Sequence, residues 1–451
     1  MRNRSVALLG VMAIILSGCA GGTASNTPGA STGATPGASS GATPGASTGE
    51  ITKLTLAALQ GDESLGLKAI APDCGTQTGT SVEIVENPYG PLYDKLVTTF
   101  QANDATFDLV MIDDPWMPKF GTDGSFQDLT QYGIERDPDI PSIVWDVGTW
   151  PPPHGAVPPS EVGKPAQLLG VTVVGNVEMF MNRSDIAPAP KTYDDVLANA
   201  KAQNKADYAG YIIRGKATNP VVADFLPILW SFGGDVFDDN WNVIFDNDQS
   251  KAAIKFLVDD LKAVAQADPA NTDAADRSQL FSTEKGLQSS VWPGEIAGIV
   301  NNAEVSKVIG KAEYLPIPAG PSGKGIGMMG NWMLAIPTAS KNGAKAAEFI
   351  KCALSAESQK VMAANKGIPS RTSVLTDAEL GAANPYFPVL AQALQTPPNW
   401  RPRTDQWNAV ETIIGTHLNA ALAGLETSDE VATKASEEIR TLMKGAGYPT
   451  Q

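Results

Sequence analysis

The chain has 451 residues, room for one to three domains, and its 43% hydrophobic and 18% charged contents are ordinary for a globular protein. Lys and Arg total 33 against 49 Asp and Glu, a formal charge of −16 at pH 7. That balance excludes nucleic acid as a partner, because phosphate binding needs a basic surface. It suits an extracytoplasmic protein kept dispersed by self-repulsion, and does not choose a ligand.

The N-terminus carries Arg2 and Arg4, then an apolar run over 6–16. That run is too short to span a bilayer, which takes about 20 residues. Small residues and a cysteine follow, Leu16-Ser17-Gly18-Cys19, the layout of a secretory signal. The ending resembles the bacterial lipoprotein lipobox, which implies cleavage after Gly18 and lipidation of Cys19. The alternative is an ordinary signal peptide with an incidental cysteine. On the lipobox reading, 1–18 is a signal peptide and the protein sits on the extracytoplasmic face of the membrane, held by its lipid only. Residues 19–49 then form a tether in which Thr-Pro-Gly-Ala-Ser recurs from Thr27, Thr35 and Thr43. Such a stretch cannot bury enough surface to offset its ordering entropy. As a flexible coil it reaches roughly 30 Å.

The folded part begins near Glu50. Residues 51–59 read as a strand with Leu54, Leu56 and Ala58 on one side. A short helix over 64–71, a strand over 81–85, a helix over 92–101 and a strand over 107–112 follow. This alternation predicts a parallel sheet with helices on its faces. Ligands of such sheets bind beyond the carboxyl ends of the strands. The candidate site residues are therefore Asp62 and Glu63, Asn87 and Tyr89, and Asp113, Asp114 and Trp116. Residues 144–164, rich in Pro and Trp, read as an irregular surface loop. The apolar run 168–181 is too long for one strand. Its break at Gly175-Asn176 predicts a passage from one sheet to another. Thr192 with Asp195 approximates a capping box. Residues 250–266 carry one apolar stripe, Ile254, Leu257, Val258, Leu261, Val264 and Ala265. A strand-like run covers 327–336, and helices are predicted over 344–354, 356–365, 385–395, 407–423 and 429–443.

Several stretches, in order, resemble the family 1 extracellular solute-binding proteins, the maltose-binding-protein-like receptors of ABC importers. They are FDLVMIDDPWMPKF (107–120), LLGVTVVGNVEMFMNRSD (168–185), TYDDVLANAKA (192–202) and FLPILWSFGGDVFDD (225–239). GMMGNWMLAIPTAS (327–340), GIPSR (367–371) and NWRPRTDQWNAVETII (399–414) complete the series. The resemblance implies an α/β, two-lobed periplasmic-binding-protein-like fold of type II, each lobe a sheet flanked by helices. It assigns 50–171 and 333–372 to lobe 1, and 172–332 and 373–451 to lobe 2, with the ligand in the cleft between them. It implies closure by a hinge, docking on importer permease subunits, a monomer, no cofactor and no catalysis. Gly175-Asn176 and Gly330-Asn331 match the crossover positions, as hinges or as tight packing sites. The stretch 145–165 departs from the family in length and proline content.

Sugar recognition needs flat apolar faces for C–H groups and polar partners for hydroxyls, and carboxylates accept strong hydrogen bonds. Aromatic and acidic residues come together in the stretches that match the cleft. Beyond the strand-end residues, these are Trp230 with Asp235, Trp292 with Glu295 in SSVWPGEIAG, Trp332 after Gly330-Asn331, and Trp407. Asn176, Asn331 and Arg371 join the candidates. Each tryptophan has core packing as its alternative, each carboxylate a turn or N-cap role, and Arg371 and Arg403 structural ion pairs. Cys74 and Cys352 are either a disulfide, which export permits, or two buried thiols. His154 and His417 are the only histidines, and no nucleophile motif, metal cluster or phosphate-cradling loop accompanies them. Asp238-Asp239-Asn240 and Asp246-Asn247-Asp248 lack the spacing of a calcium loop and read as turn and capping groups. The expected ligand is a sugar, oligosaccharide or polyol. A polyamine or other cationic amine is the alternative, and a secreted glycoside hydrolase with paired carboxylates the remote one.

Overall fold

The computed structural model describes residues 52–395 and 399–450. The signal segment, Cys19 and the tether lie outside the described residues. The strands, in chain order, are β1 (Thr52–Leu59), β2 (Thr80–Asn87), β3 (Leu109–Asp113), β4 (Thr149–Trp150), β5 (Gln167–Leu168), β6 (Val171–Val174), β7 (Met179–Arg183), β8 (Gln288–Val291), β9 (Ala312–Leu315) and β10 (Trp332–Ala335). β1 buries the expected row of Leu54, Leu56 and Ala58, and also Ala57 on its other side. The reason is its central place: it pairs in parallel with β2 and β3 and is covered on both faces.

The helices Leu65–Thr78 and Tyr89–Gln101 make the two parallel crossovers. The first runs on through Pro72, past the expected end at 71, and stops at Gly79, whose φ of 65° is a left-handed conformation that glycine adopts freely. The five-stranded sheet has the order β2-β1-β3-β10-β6. It is mixed rather than wholly parallel, because β10 returns from the far part of the chain and inserts antiparallel between β3 and β6. The second sheet, β8-β7-β9, is antiparallel throughout.

The apolar run 168–181 divides as expected, into β6 of the first sheet and β7 of the second. Between them three segments lie side by side. Gly330 N–H donates to Asn176 O, Glu178 N–H to Met328 O, and Met329 N–H to Asn399 O. Gly175 and Gly330 both meet a packing demand there. A Cβ at Gly175 would lie 2.7 Å from Pro369 O, and one at Gly330 would lie 2.5 Å from the Trp292 ring.

A second core forms where the helices Asn219–Ser231, Asp248–Lys255, Trp407–Leu422 and Ser428–Gly445 meet. The stripe predicted over 250–266 is buried in it from Ile254 to Val264. Its helix widens over Phe256–Leu261 and tightens over Lys262–Val264. Thr192 and Asp195 close the expected capping box, with Asp195 N–H to Thr192 Oγ1 at 3.1 Å and Thr192 N–H to Asp195 Oδ2 at 2.9 Å. Asn247 caps its helix, and Asp246 pairs with Arg440 at 2.8 Å.

The Pro- and Trp-rich stretch is not a surface loop alone. Trp145 and Trp150 are buried in the first core, His154 stacks on Trp400 at 4.4 Å, and Trp241 Nε1–H donates to Val157 O at 3.1 Å. Cys74 and Cys352 are joined in a disulfide between the helices Leu65–Thr78 and Gly343–Leu354. No helix among the described residues is long and apolar enough to cross a membrane.

Candidate functional site

A cavity of about 530 Å³ opens at the carboxyl ends of β1, β2 and β3. All three strand-end loops line it, through Gln60 and Glu63, Tyr89 and Gly90, and Asp113. The opposite wall holds Arg214, Asn219, Asp273, Trp292 and Glu295, while Asn176 and Gly330 come from the crossing segments.

The aromatic surface is layered. Tyr89 and Trp332 line the cavity with ring centroids 5.9 Å apart. Trp116 stands behind them, 5.0 Å from Tyr89 and 5.4 Å from Trp332, and is only 1% exposed. Trp116 therefore supports the wall rather than facing a ligand. Trp292 covers Gly330 from the other side, in the space that the missing Cβ leaves.

The carboxylates differ in their surroundings. Asp113 Oδ2 accepts from Tyr89 OH at 2.9 Å and Oδ1 from Asp114 N–H at 2.9 Å. Burial raises its pKa, while Arg401 at 3.7 Å pulls it down. Glu295 is gripped by Arg277, by Ser278 Oγ–H at 2.5 Å, and by the Trp292 N–H at 3.4 Å. Arg277 is fully buried and also bonds Asp224. Asp273 sits at the start of the helix Ala274–Ser282. Burial would raise it, but Arg214, the Ala274 N–H and Lys216 hold it at about 2. Glu63 is different: no lysine or arginine among the described residues forms an ion pair with it. Burial pushes its carboxyl up to about 7 against a bond from its own backbone N–H, and Asp62, Glu295 and Asp113 add to the rise. Asn176 Oδ1 is buried and has no partner, in a side chain 2% exposed.

Of the residues expected from sequence, Glu63, Tyr89, Asp113, Asn176, Trp292, Glu295 and Trp332 thus meet around one cavity. The others lie elsewhere. Asp62 packs its carboxylate on Gly298, where a Cβ would lie 2.3 Å from Oδ2. Asn87 finishes β2 by donating to Val85 O and accepting from Lys95. Asp114 faces inward, bonded to Arg401 Nη1 at 2.5 Å. Asn331 is fully buried behind the cavity. Trp230 belongs to the second core and donates to Asp235 at 3.2 Å. Asp235, which burial raises to about 6, faces a separate hollow beside His154 and Trp400. Arg371 is tied to Asp137 at 2.6 Å and Asp139 at 3.1 Å, the structural pairing that was its alternative. Trp407 is completely buried in the second core, the packing role that was its alternative.

Sequence reading passed over Arg214, Asn219, Asp273 and Arg401, and the Asp224–Arg277 pair behind them. One signal was available: Asp273 and Asp276 have the spacing of a capping box, and the structure forms one.

The profile of the family described as bacterial extracellular solute-binding protein matches residues 58–360. A probable amino-acid ABC transporter periplasmic-binding protein of Sinorhizobium fredii, y4oP, is 25% identical over 409 residues, covering 88% of this chain and 90% of its own. A mannitol-binding protein of Pseudomonas aeruginosa is 26% identical, with 60% of this chain and 67% of its own covered. Among solved structures, maltose-bound MalE3 of T. maritima superposes with a TM-score of 0.76 at 25% identity, covering 87% of this chain and 100% of that one. A ribitol complex of a solute-binding protein from Agrobacterium radiobacter K84 has the same fold, at a TM-score of 0.76, 20% identity, and 87% and 99% coverage. The chain therefore belongs to the bacterial extracellular solute-binding proteins, the non-enzymatic substrate-binding components of ABC transporters.

Proposed function

We propose that the protein captures a sugar, oligosaccharide or polyol in the cavity between its two sheets, closes over it, and presents it to the permease subunits of an importer. The observation that carries this reading is one cavity whose lining combines the aromatic residues Tyr89, Trp292 and Trp332 with the carboxylates Asp113 and Glu295 and the amide residue Asn176. Aromatic faces cover the C–H surfaces of a sugar, and carboxylates take its hydroxyl protons. Relatives named for mannitol and solved with ribitol or maltose support the same class. An amino acid, which the name of the Sinorhizobium relative suggests, fits less well. Its carboxylate would need an uncommitted cation, and Arg214 and Arg401 are already engaged by Asp224, Asp273 and Asp114. The lipid on Cys19, the tether 19–49 and a monomeric state complete the proposal: a receptor held at the extracytoplasmic face of the cell membrane, free to reach its transporter.

Thermal unfolding against a panel of monosaccharides, oligosaccharides and polyols tests it. A true ligand at a hundredfold excess over Kd should add about 2.7 kcal/mol of stability. A flat response across the panel, or a shift with putrescine and spermidine alone, would overturn the reading.

A further inference from the structure

The ionic groups around the cavity are unbalanced. Arg401 is shared by Asp113 at 3.7 Å, Asp114 at 2.5 Å and Glu411 at 3.8 Å. Arg214 is shared by Asp224 at 3.5 Å and Asp273 at 3.1 Å, and Lys216 also reaches Asp273, at 3.0 Å. Arg277 is divided between Asp224 and Glu295. Each arginine thus serves two or three carboxylates, and none is left for Glu63. The Glu63 carboxylate lines the cavity close to Gly294 of the opposite wall, where a Cβ would come within 3.3 Å of Oε1. Glu63 is half-buried; removing a carboxylate further from water under a bound ligand is costly unless a cation pairs with it, and a neutral sugar supplies none.

We infer that the ligand is a polyhydroxylated amine, an amino sugar or amino polyol, whose ammonium group sits against Glu63 while its hydroxyls engage the rest of the cavity. This rests on the carbohydrate reading and narrows it. Three further features agree. Tyr89, Trp292 and Trp332 bring aromatic rings to the lining, and such rings attract a cation. Asn176 belongs to the same lining, and its buried Oδ1 has no hydrogen-bond partner among the described residues. Among the described residues, Glu63 is the one carboxylate lining the cavity without an ion-pair partner: Asp113, Asp273 and Glu295 each have one. That calls for one positive charge on a neutral frame, not the several charges of a polyamine.

Isothermal titration of the full chain, purified in detergent, tests the inference with matched probes at about pH 7: D-glucose with D-glucosamine, D-mannose with D-mannosamine, and D-sorbitol with 1-amino-1-deoxy-D-sorbitol. At least one amine should bind about tenfold or more tighter than its neutral partner. Glu63→Gln should bring the ratio of amine to neutral affinity down to about one, whatever it does to the neutral partner's own affinity, and Glu63→Asp should keep part of the preference. Neutral members that bind as tightly as their amines in every pair, or a preference that survives Glu63→Gln, overturn the inference and leave the carbohydrate reading standing. Failure of every member of every pair, with putrescine binding, sinks both.

Discussion

Replacing Glu63 by Gln should raise the stability of the unliganded protein at alkaline pH and leave it unchanged in acid. The carboxyl titrates near 4.5 in an unfolded chain and near 7 in the folded protein. Between those values the native state holds a proton that the unfolded state has lost, so stability falls as pH rises from 4.5 through 7. Each pH unit in that interval corresponds to about 1.4 kcal/mol, so the ionised side chain costs at most about 3 kcal/mol above pH 8. Opening of the cleft hydrates the partly exposed carboxylate without unfolding the chain, which reduces the cost to roughly 1–2 kcal/mol. For a chain of this size that is a rise of about 1–2 °C in Tm for Glu63→Gln near pH 8, shrinking to nothing near pH 4. The charged groups facing Glu63 are Asp62, Asp113 and Glu295, and Lys366 acts on Asp62. Their own titrations are common to both proteins, so the difference between the two melting curves, scanned by calorimetry from about pH 4 to 8, isolates Glu63. A variant that becomes less stable than the native protein as pH rises would refute the reasoning, since it would mean that the folded protein favours the ionised side chain.

Arg277→Met should cost about 3–5 kcal/mol in urea denaturation, because it leaves the buried Glu295 and Asp224 without their shared cation. Adding Glu295→Gln to that variant should recover part of the loss, and a cost under about 1 kcal/mol for Arg277→Met would contradict the buried network. The pair of substitutions Cys74→Ala and Cys352→Ser should lower stability by about 2–4 kcal/mol. Dithiothreitol should then shift the melting curve of the native protein and not that of the variant; equal shifts would count against the disulfide.

The part of the site that sequence could reveal is the part that topology dictates. A parallel strand ends where its chain turns toward a helix, so Glu63, Tyr89 and Asp113 were legible as soon as β1, β2 and β3 were. Trp292, Glu295 and Trp332 were reached by resemblance to a family, not by periodicity. Within each group the orientation of a side chain stayed hidden. Asp113 and Asp114 are neighbours, yet one faces the cavity and the other turns inward to Arg401, 287 residues away. Arg371 was drawn off by Asp137 and Asp139, 234 and 232 residues distant. No local pattern encodes such pairings, since a charge shows no preference along the chain for its eventual partner. This asymmetry explains why the site was seen in sequence as carboxylates and aromatics, and its arginines were missed. The carboxylates stand in strand-end loops, where turn chemistry exposes them. Arg214, Arg277 and Arg401 arrive from elsewhere to neutralise them. Because those cations are bound in fixed ion pairs, their presence does not make the cavity basic. The charge a ligand meets is set by what they leave unneutralised, and Glu63 is the lining carboxylate they leave.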